Sequence, residues 1–308
     1  MIRALFINHQ QQRCGVYQMG QRIGHALSDA GVAYYLETWD LGTAIARAQI
    51  HGPRAIIYNW HPSTMPWAPE MIRRFPAVKH VGLIHEIAPD APHVGADLFP
   101  YRMVCDPTFP ADGVTTFRSV RHVPRHPPRQ GDVLDGPRPL IVGSFGFAVG
   151  GKMFATIVHA VGAEFPGARV RLRIPCAHYG DDRGDLARRA ADAARAVTVG
   201  GVRVEIEHDF LDEDALVSWL AANDMNVFFY EPNGGRGISS VLDYAIAARR
   251  PIAINDSQMF RHVPMLGAYP TRSLRESVES GRVVEDLYQA WTPERLARDY
   301  AEMISALG

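Results

Sequence analysis

The stretch GGRGISSVLDYAIAARRPIAIND, residues 234–256, contains one complete repeating unit of a layered α/β fold. Its glycines permit a tight turn, apolar residues then recur at helical spacing between positions 238 and 246, and a short apolar strand follows at 251–254. A turn, a helix and a strand in this order are typical of a parallel sheet with helices on both faces. The stretch therefore predicts an α/β fold.

The same alternation extends outward from this stretch. Thr292 is predicted to cap a final helix, because a glutamate follows in the first turn. Further strands are predicted at residues 2–7, 33–36, 55–58, 78–84, 140–142, 170–174, 202–206 and 227–230, and further helices at 15–30, 44–49, 69–75, 153–165, 185–197, 212–222 and 293–307.

Prolines, histidines and arginines accumulate between these two runs of elements, from position 106 to 138, where a regular helix is hard to sustain. We expect the domain linker at residues 125–137. At 308 residues the chain has the length of two compact domains. The prediction is two doubly wound domains, residues 1–130 and 138–290, followed by a separate helix in residues 291–308.

Composition excludes several classes of protein. The net charge of −1, from 32 basic and 33 acidic side chains, does not favour a nucleic-acid partner. The 13 histidines form no HxH or HExxH cluster, so no metal site is expected. Three scattered cysteines, the absence of a signal peptide and the absence of an 18-residue apolar run favour a cytoplasmic protein without a transmembrane segment. Peripheral membrane contact and the oligomeric state stay open.

Loops that follow predicted strands are the candidate binding loops, because ligands of open parallel sheets lie beyond the carboxyl ends of the strands. The first loop, NHQQQRCG at residues 8–15, contains Gln11 and Arg13 and ends with Gly15 at a helix start. Backbone N–H groups there could bind an anion. A plain surface loop fits the same residues equally well.

The second loop, GSFGFAVGGK at residues 143–152, places glycines beside a lysine at a helix start. Gly146, Gly151 and Lys152 have the spacing of a P-loop, but Met153 supplies no hydroxyl for magnesium. A phosphate held by Lys152 without a metal is the preferred interpretation. Gly143 and Ser144 open this loop.

The opening stretch itself is the third candidate. Gly237, Ile238, Ser239 and Ser240 are predicted to begin a helix, and the N–H groups and two hydroxyls at its start could form an anion cradle. The alternative is that Ser239 only caps the helix and the glycines only make a turn. Asp243 has either a solvated or capping role, or a contact with a sugar hydroxyl.

The remaining loops carry further polar side chains. His85 and Glu86 follow an apolar strand, where a histidine could donate to a substrate oxygen. His61 lies in the loop NWHPSTMPW, and INDSQMFRHV at residues 254–263 could close over the same pocket. A purely structural role is the alternative for both histidines.

Taken together, GSFGF followed by lysine, the strand-end His85 and GISSVLDYAIAARRPIAIND resemble the GT-B glycosyltransferases, most closely the retaining family 4 type. The resemblance implies two Rossmann-like domains facing a cleft, with a C-terminal helix that crosses back to the first domain. A nucleotide-diphosphate sugar would bind mostly to the second domain, with the acceptor facing the first. Lys152 would contact the donor diphosphate, and His85 would lie by the transferred sugar.

The resemblance also exposes departures. Asp243 aligns with the second acid of the family's paired-glutamate motif, but Gly235 occupies the position of the first, with Glu231 the nearest glutamate. Phe147 stands where the family commonly has an arginine. The implied catalytic residues are His85, Lys152 and Asp243. The implied donor-binding residues are Gly15, Gly143, Ser144, Lys152, Glu231, Arg236, Gly237, Ile238, Ser239, Ser240 and Asp243, and those on the acceptor side are Gln11, Arg13, His61 and Glu86.

The implied function is transfer of a sugar from a nucleotide-diphosphate donor to a hydroxyl of a glycan, a lipid-linked acceptor or a small molecule. The resemblance implies retention of anomeric configuration and no metal or other cofactor. Two alternatives stay open: a sugar-nucleotide 2-epimerase, and a non-catalytic module that binds a nucleotide sugar. The non-catalytic module stays open because Gly235 occupies the position of the family's first acid.

Overall fold

A computed structural model of the chain describes residues 4–86, 96–125, 138–149, 151–232 and 237–308. The chain divides into two compact units. The N-terminal unit comprises Met1–His122, Arg236–Ile238 and Trp291–Gly308, and the C-terminal unit comprises Val123–Gly235 and Ser239–Ala290. Most of the predicted linker, residues 126–137, lies outside the described residues.

The N-terminal unit is built on a six-stranded parallel sheet of order β2-β1-β3-β4-β5-β6. All five residues of β1 and all six of β3 are buried, because helices cover both faces of the sheet. Its strands are β1 (Ala4–Asn8), β2 (Ala33–Glu37), β3 (Ala55–Trp60), β4 (Lys79–Ile84), β5 (Tyr101–Val104) and β6 (Thr116–Arg118), and its first helices are α1 (Gly15–Asp29), α2 (Leu41–His51) and α3 (Ala68–Arg74).

The C-terminal unit is built on a second parallel sheet, of order β12-β11-β10-β7-β8-β9. Val142, Val170 and Val227 lie in its core with the apolar side of α4. Its strands are β7 (Ile141–Phe145), β8 (Arg169–Arg173), β9 (Arg203–Glu207), β10 (Met225–Phe228), β11 (Ile252–Asn255) and β12 (Ala268–Tyr269), and its helices are α4 (Phe154–Glu164), α5 (Asp185–Ala196), α6 (Glu213–Ala221), α7 (Val241–Ala247), α8 (Leu274–Ser277) and α9 (Gly281–Ala290).

The last helix, α10 (Pro293–Ala306), belongs to the N-terminal unit. The Thr292 side chain accepts a hydrogen bond from the N–H of Arg295 at 3.1 Å and so caps its N-terminus. Tyr300 is fully buried in the core formed with α1. The Asp299 carboxylate also accepts a bond from the N–H of Val120 at 2.8 Å, which ties the helix to the chain just after β6.

The prediction of two doubly wound α/β domains is confirmed. The short strands β5, β6 and β12 and the helices α8 and α9 were not predicted. None of the helices in the described parts of the chain is both long and apolar enough to cross a membrane.

Strand order fixes where each sheet can hold a ligand. Connections leave in opposite directions from β1 and β3 in the first sheet, and from β7 and β10 in the second. Loops diverge at such a switch point and leave a crevice beyond the carboxyl ends of the strands. A ligand is therefore expected at the loops that follow these four strands.

Candidate functional site

In the N-terminal unit, two buried asparagines join the switch-point strands. The Asn59 amide, at the end of β3, donates to Asn8 Oδ1 at 2.6 Å and to the Val16 carbonyl at 2.8 Å. Gly20 of α1 makes room for it, since a Cβ at that position would lie 2.0 Å from Asn59 Nδ2. The end of β1, the start of α1 and the end of β3 are thereby held together.

The network continues to a carboxylate on β2. Asn8 Nδ2 donates to the Tyr35 hydroxyl at 3.1 Å, and that hydroxyl donates to Glu37 Oε1 at 2.5 Å. The Tyr17 hydroxyl donates to the same oxygen at 3.1 Å. Burial, and then the charge of Glu37, raise the pKa of Tyr17 to about 12, so this phenol stays protonated. The network was not predicted, although Asn8 and Asn59 stand as polar residues at the ends of apolar strands.

His85 follows β4 and is hydrogen-bonded through Nε2 to Asn59 Oδ1. Desolvation by burial lowers the pKa of His85 to about 3, with smaller contributions from Arg121, His61 and His9. The imidazole is therefore neutral near pH 7. It can take part in hydrogen bonds but does not offer a positive charge to a ligand.

Two of the predicted acceptor-side residues, His61 and Glu86, lie beside His85. His61 Nε2 and Glu86 Oε2 are 3.9 Å apart, and the N–H of Ser63 donates to His61 Nδ1 at 3.2 Å. The structure thus brings His61 and Glu86 together beside His85.

The loop after β1 holds the other acceptor-side residues. The Gln11 N–H donates to His9 Nδ1 at 3.1 Å, which fixes the start of this loop. Arg13 is exposed, and Gly15 is exposed at the start of α1.

Gly237 and Ile238, predicted to bind the donor, are grouped with the N-terminal unit. Gly237 is buried, and a Cβ there would lie 2.3 Å from the His85 carbonyl oxygen. A glycine is therefore required by this close approach. Arg236 and Gly235 lie outside the described residues.

In the C-terminal unit, Lys152 is held beside the end of β10. It forms an antiparallel bridge with Tyr230, flanked by bonds from the Met153 N–H to the Phe229 carbonyl at 2.9 Å and from the Glu231 N–H to the Gly151 carbonyl at 2.8 Å. The loop after β7 is thus hydrogen-bonded to the loop after β10, across the switch point.

The Lys152 side chain packs on two neighbours. Its ammonium lies 4.7 Å from the centre of the Tyr230 ring, a cation–π arrangement. Its aliphatic part crosses Gly146, where a Cβ would lie 2.4 Å from Lys152 Cε. Gly146 has a φ of 138°, which also favours glycine. These contacts direct one half-buried cation to the switch point.

Tyr230 links Lys152 to the loop that precedes α7. Its hydroxyl is hydrogen-bonded to Ser239 Oγ at 2.8 Å. Asn255, at the end of β11, accepts from the Tyr230 N–H at 2.9 Å and donates to the Tyr230 carbonyl at 2.6 Å. Neither Tyr230 nor Asn255 was predicted as a site residue, although Tyr230 closely follows β10 and Asn255 ends β11.

The helix after this loop begins later than predicted, at Val241. Ser240 is its N-cap residue, but its side chain makes no capping bond. Ser239 does not cap the helix either, and its N–H donates to the Met259 carbonyl at 2.9 Å, so that N–H is not free for an anion. Asp243 is fully buried in the first turn of α7, which rules out the predicted solvated role.

The start of the lysine loop also differs from the prediction, because β7 extends to Phe145. Gly143 and Ser144 therefore lie inside the strand. A Cβ on Gly143 would lie 1.9 Å from Asn223 Nδ2, so this glycine makes room for a buried amide. Ser144 is buried within the same strand.

Two further residues complete this edge of the C-terminal unit. Phe147, which stands where an arginine was expected, stacks on Phe210 with ring centres 6.3 Å apart and planes 8° apart. Glu231 is exposed beside Gly151. Within the described ranges, no group of three or more histidine, cysteine, aspartate or glutamate side chains is placed to hold a metal ion.

No protein-family model matches the sequence, and no protein of curated function matches it either. Solved structures are similar in fold. HepE from Anabaena, in complex with UDP-glucose, aligns with a TM-score of 0.60 at 13% identity over 100% of this chain and 94% of that chain. The lipopolysaccharide outer core galactosyltransferase WaaB, in its apo form, aligns with a TM-score of 0.59 at 10% identity over 99% of both chains. At such identities the similarity establishes the fold, which is that of the GT-B glycosyltransferases.

Proposed function

We propose that this chain is a glycosyltransferase that moves a sugar from a nucleotide-diphosphate donor to a hydroxyl acceptor. The observation that carries the proposal is Lys152, a cation held on the Tyr230 ring at the switch point of a GT-B sheet. Similar structures support the donor class, since HepE has been solved with UDP and glucose and with UDP-glucose.

Lys152 would stabilise the charge that develops on the leaving diphosphate. Such charge stabilisation by a group already in place is usually a large contribution to catalysis. The lysine supplies the positive charge that a metal ion supplies in other transferases, so we propose a metal-independent reaction. Ser240, Glu231 and Arg236 are proposed to complete the donor site together with Gly237, Ile238 and Ser239. Asp243, fully buried in the first turn of α7, would support this site.

Polar residues beside His85 and in the loop after β1 would receive the acceptor. His61, Glu86, Gln11 and Arg13 offer donors and acceptors suited to a glycan, a lipid-linked sugar or a small molecule. We propose retention of configuration, as in the family 4 enzymes that the sequence resembles. The free cysteines support a reducing, cytoplasmic setting.

Calorimetric titration with UDP and UDP-glucose tests the proposal. The chain contains only two lysines, Lys79 and Lys152, so Lys79→Ala is a matched control. We expect Lys152→Ala to weaken UDP binding by about tenfold or more, equivalent to ~1.4 kcal/mol, and Lys79→Ala to leave it unchanged. Equal UDP affinity in the wild type and Lys152→Ala would overturn the assignment.

A second candidate is a non-catalytic module that binds a nucleotide sugar. Gly235, at the position where the family has its first acid, favours this candidate. Product analysis separates the two: tight UDP-glucose binding with neither transfer to acceptors nor hydrolysis of the donor would identify the module.

A further inference from the structure

The orientation of the Asn59 amide is set by a partner that can only accept. Asn59 Nδ2 lies 2.8 Å from the Val16 carbonyl, and a carbonyl oxygen has no proton to donate. The NH2 group must therefore face Val16, and its second proton goes to Asn8 Oδ1. Asn59 Oδ1 is left to face His85.

The Asn8 amide fixes the same direction independently. Asn8 Nδ2 lies 3.2 Å from the Tyr17 carbonyl, which again can only accept. Its other proton goes to the Tyr35 hydroxyl, and Tyr35 donates onward to the Glu37 carboxylate. Asn8 Oδ1 must therefore accept from Asn59. Along this series of hydrogen bonds, each donated proton points away from His85 and towards Glu37.

These two orientations decide which nitrogen of His85 carries its proton. Asn59 Oδ1 has only lone pairs, so the hydrogen bond exists only if His85 Nε2 is protonated. In a neutral imidazole the other nitrogen is then an acceptor. Among the residues that the structure describes, none is hydrogen-bonded to Nδ1 of His85. Nδ1 is also not among the fully buried polar atoms that lack a partner, so it is not fully buried.

We infer that Asn59 is a positioning residue that holds His85 in the Nε2–H tautomer and thereby presents Nδ1 as a hydrogen-bond acceptor. The ligand group that His85 recognises is then a hydrogen-bond donor, such as a sugar hydroxyl, and not a phosphate or carbonyl oxygen. This reverses the sequence-based expectation that His85 donates. The inferred tautomer is independent of the proposed function. The identification of the hydrogen-bonding ligand group as a sugar hydroxyl rests on the proposed function.

The wild-type protein alone tests the tautomer. With 15N-labelled histidine, a long-range proton–nitrogen correlation spectrum distinguishes a protonated from a bare ring nitrogen, and the loss of one signal in His85→Gln identifies His85. We expect a protonated Nε2 and a bare Nδ1 throughout pH 5 to 8. A protonated Nδ1, or an averaged mixture of tautomers, would overturn the inference.

Three variants test the role of Asn59. Asn59→Leu removes the acceptor, so we expect a mixture of tautomers at His85. Asn59→Asp keeps an acceptor beside Nε2 and adds a negative charge, so the tautomer stays while the pKa of His85 rises. Tyr35→Phe removes a hydroxyl two residues along the network and should leave the tautomer unchanged. An unchanged His85 spectrum in folded Asn59→Leu would contradict the positioning role.

Ligand addition tests what Nδ1 accepts. We expect UDP-glucose to move the Nδ1 resonance of wild-type His85 while Nε2 stays constant, and UDP alone to move neither. UDP-glucose that binds without moving Nδ1 would overturn the hydroxyl contact. If neither UDP nor UDP-glucose binds, the proposed function fails and the hydroxyl contact fails with it, whereas the wild-type spectrum still decides the tautomer.

Discussion

The ammonium group of Lys152 and the ring of Tyr230 form a stacked pair, 4.7 Å from nitrogen to ring centre, although 78 positions separate them in the sequence. Tyr230 is fixed at two points, because its backbone is hydrogen-bonded to Asn255 and its hydroxyl to Ser239. A flexible lysine is thus held in one place before any ligand arrives, which lowers the entropic cost of binding.

Removal of the Tyr230 ring should therefore weaken the binding of a nucleotide diphosphate. Loss of a cation–π contact costs ~0.5–2 kcal/mol, so we expect Tyr230→Leu to raise the Kd for UDP by about two- to thirtyfold. Tyr230→Phe keeps the ring and should retain most of the affinity. Isothermal titration calorimetry measures both.

The other lysine offers the control. Lys79 Nζ lies 5.8 Å from the centre of the Tyr101 ring, so Tyr101→Leu removes an equivalent contact in the N-terminal unit. UDP affinity should not change in Tyr101→Leu. Equal losses in Tyr101→Leu and Tyr230→Leu would indicate a general effect on folding instead of a contact at the site.

Gly20 should tolerate no side chain. An alanine Cβ there would lie 2.0 Å from Asn59 Nδ2 and 2.7 Å from Asn8 Oδ1, both of them buried and hydrogen-bonded. We expect Gly20→Ala to lower the free energy of unfolding by ~1–3 kcal/mol, as other overpacking substitutions do. Urea denaturation followed by circular dichroism measures the change.

Gly281, at the start of α9, is the matched glycine. A Cβ there meets nothing within 4 Å, and its φ of −55° is helical. Gly281→Ala should raise stability slightly, by ~0.4–1 kcal/mol, since alanine restricts the unfolded chain more than glycine does. Similar losses in both variants would contradict the packing argument.

The low pKa of His85 predicts how stability depends on pH. The folded-state pKa of about 3 lies below the unfolded value of about 6.5, so below pH 6.5 the unfolded chain takes up a proton that the native chain does not. The contribution of His85 to stability is complete above pH 6.5 and is lost as the pH falls towards 3. The expected slope is up to ~1.4 kcal/mol per pH unit.

Denaturation at pH 7 and pH 5.5 checks this prediction. Most carboxylates titrate below this window, whereas buried His80, whose pKa is also lowered by desolvation, contributes in the same direction. His85→Gln should reduce the slope, while its neighbours Arg121, His61 and His9 are retained. Identical slopes in the wild type and His85→Gln would show that His85 does not carry the effect.

The sequence predicted most of the fold because buried parallel strands are continuous apolar runs and the helices between them are amphipathic. The strand β6 escaped prediction for the opposite reason. Residues 116–118, TFR, contain a single large apolar side chain, and this strand exists because it pairs with β5. Its stability comes from a neighbour that a local pattern does not reveal.

Sequence also indicated His85 and Lys152, since each follows a strand at the edge where ligands bind. It could not indicate what holds them. Asn59 and Asn8 are 51 positions apart, and the bond that joins them arises only when β1 and β3 become neighbours. The α7 start was misplaced because serines and glycines suit a cap and a loop equally well, and here Ser239 is bonded to Tyr230 instead.

In each unit, a glycine leaves space for a buried side-chain amide. Gly20 leaves space for Asn59, and Gly143 leaves space for Asn223. Residues that compete for one volume should change together during evolution. Among homologous chains, those that retain Asn59 should also retain Gly20, and a smaller residue at 59 should release position 20 to alanine or serine. The pair 143 and 223 should vary in the same way, independently of the first. Natural variation at positions 20 and 59 therefore records which chains have kept the network behind His85.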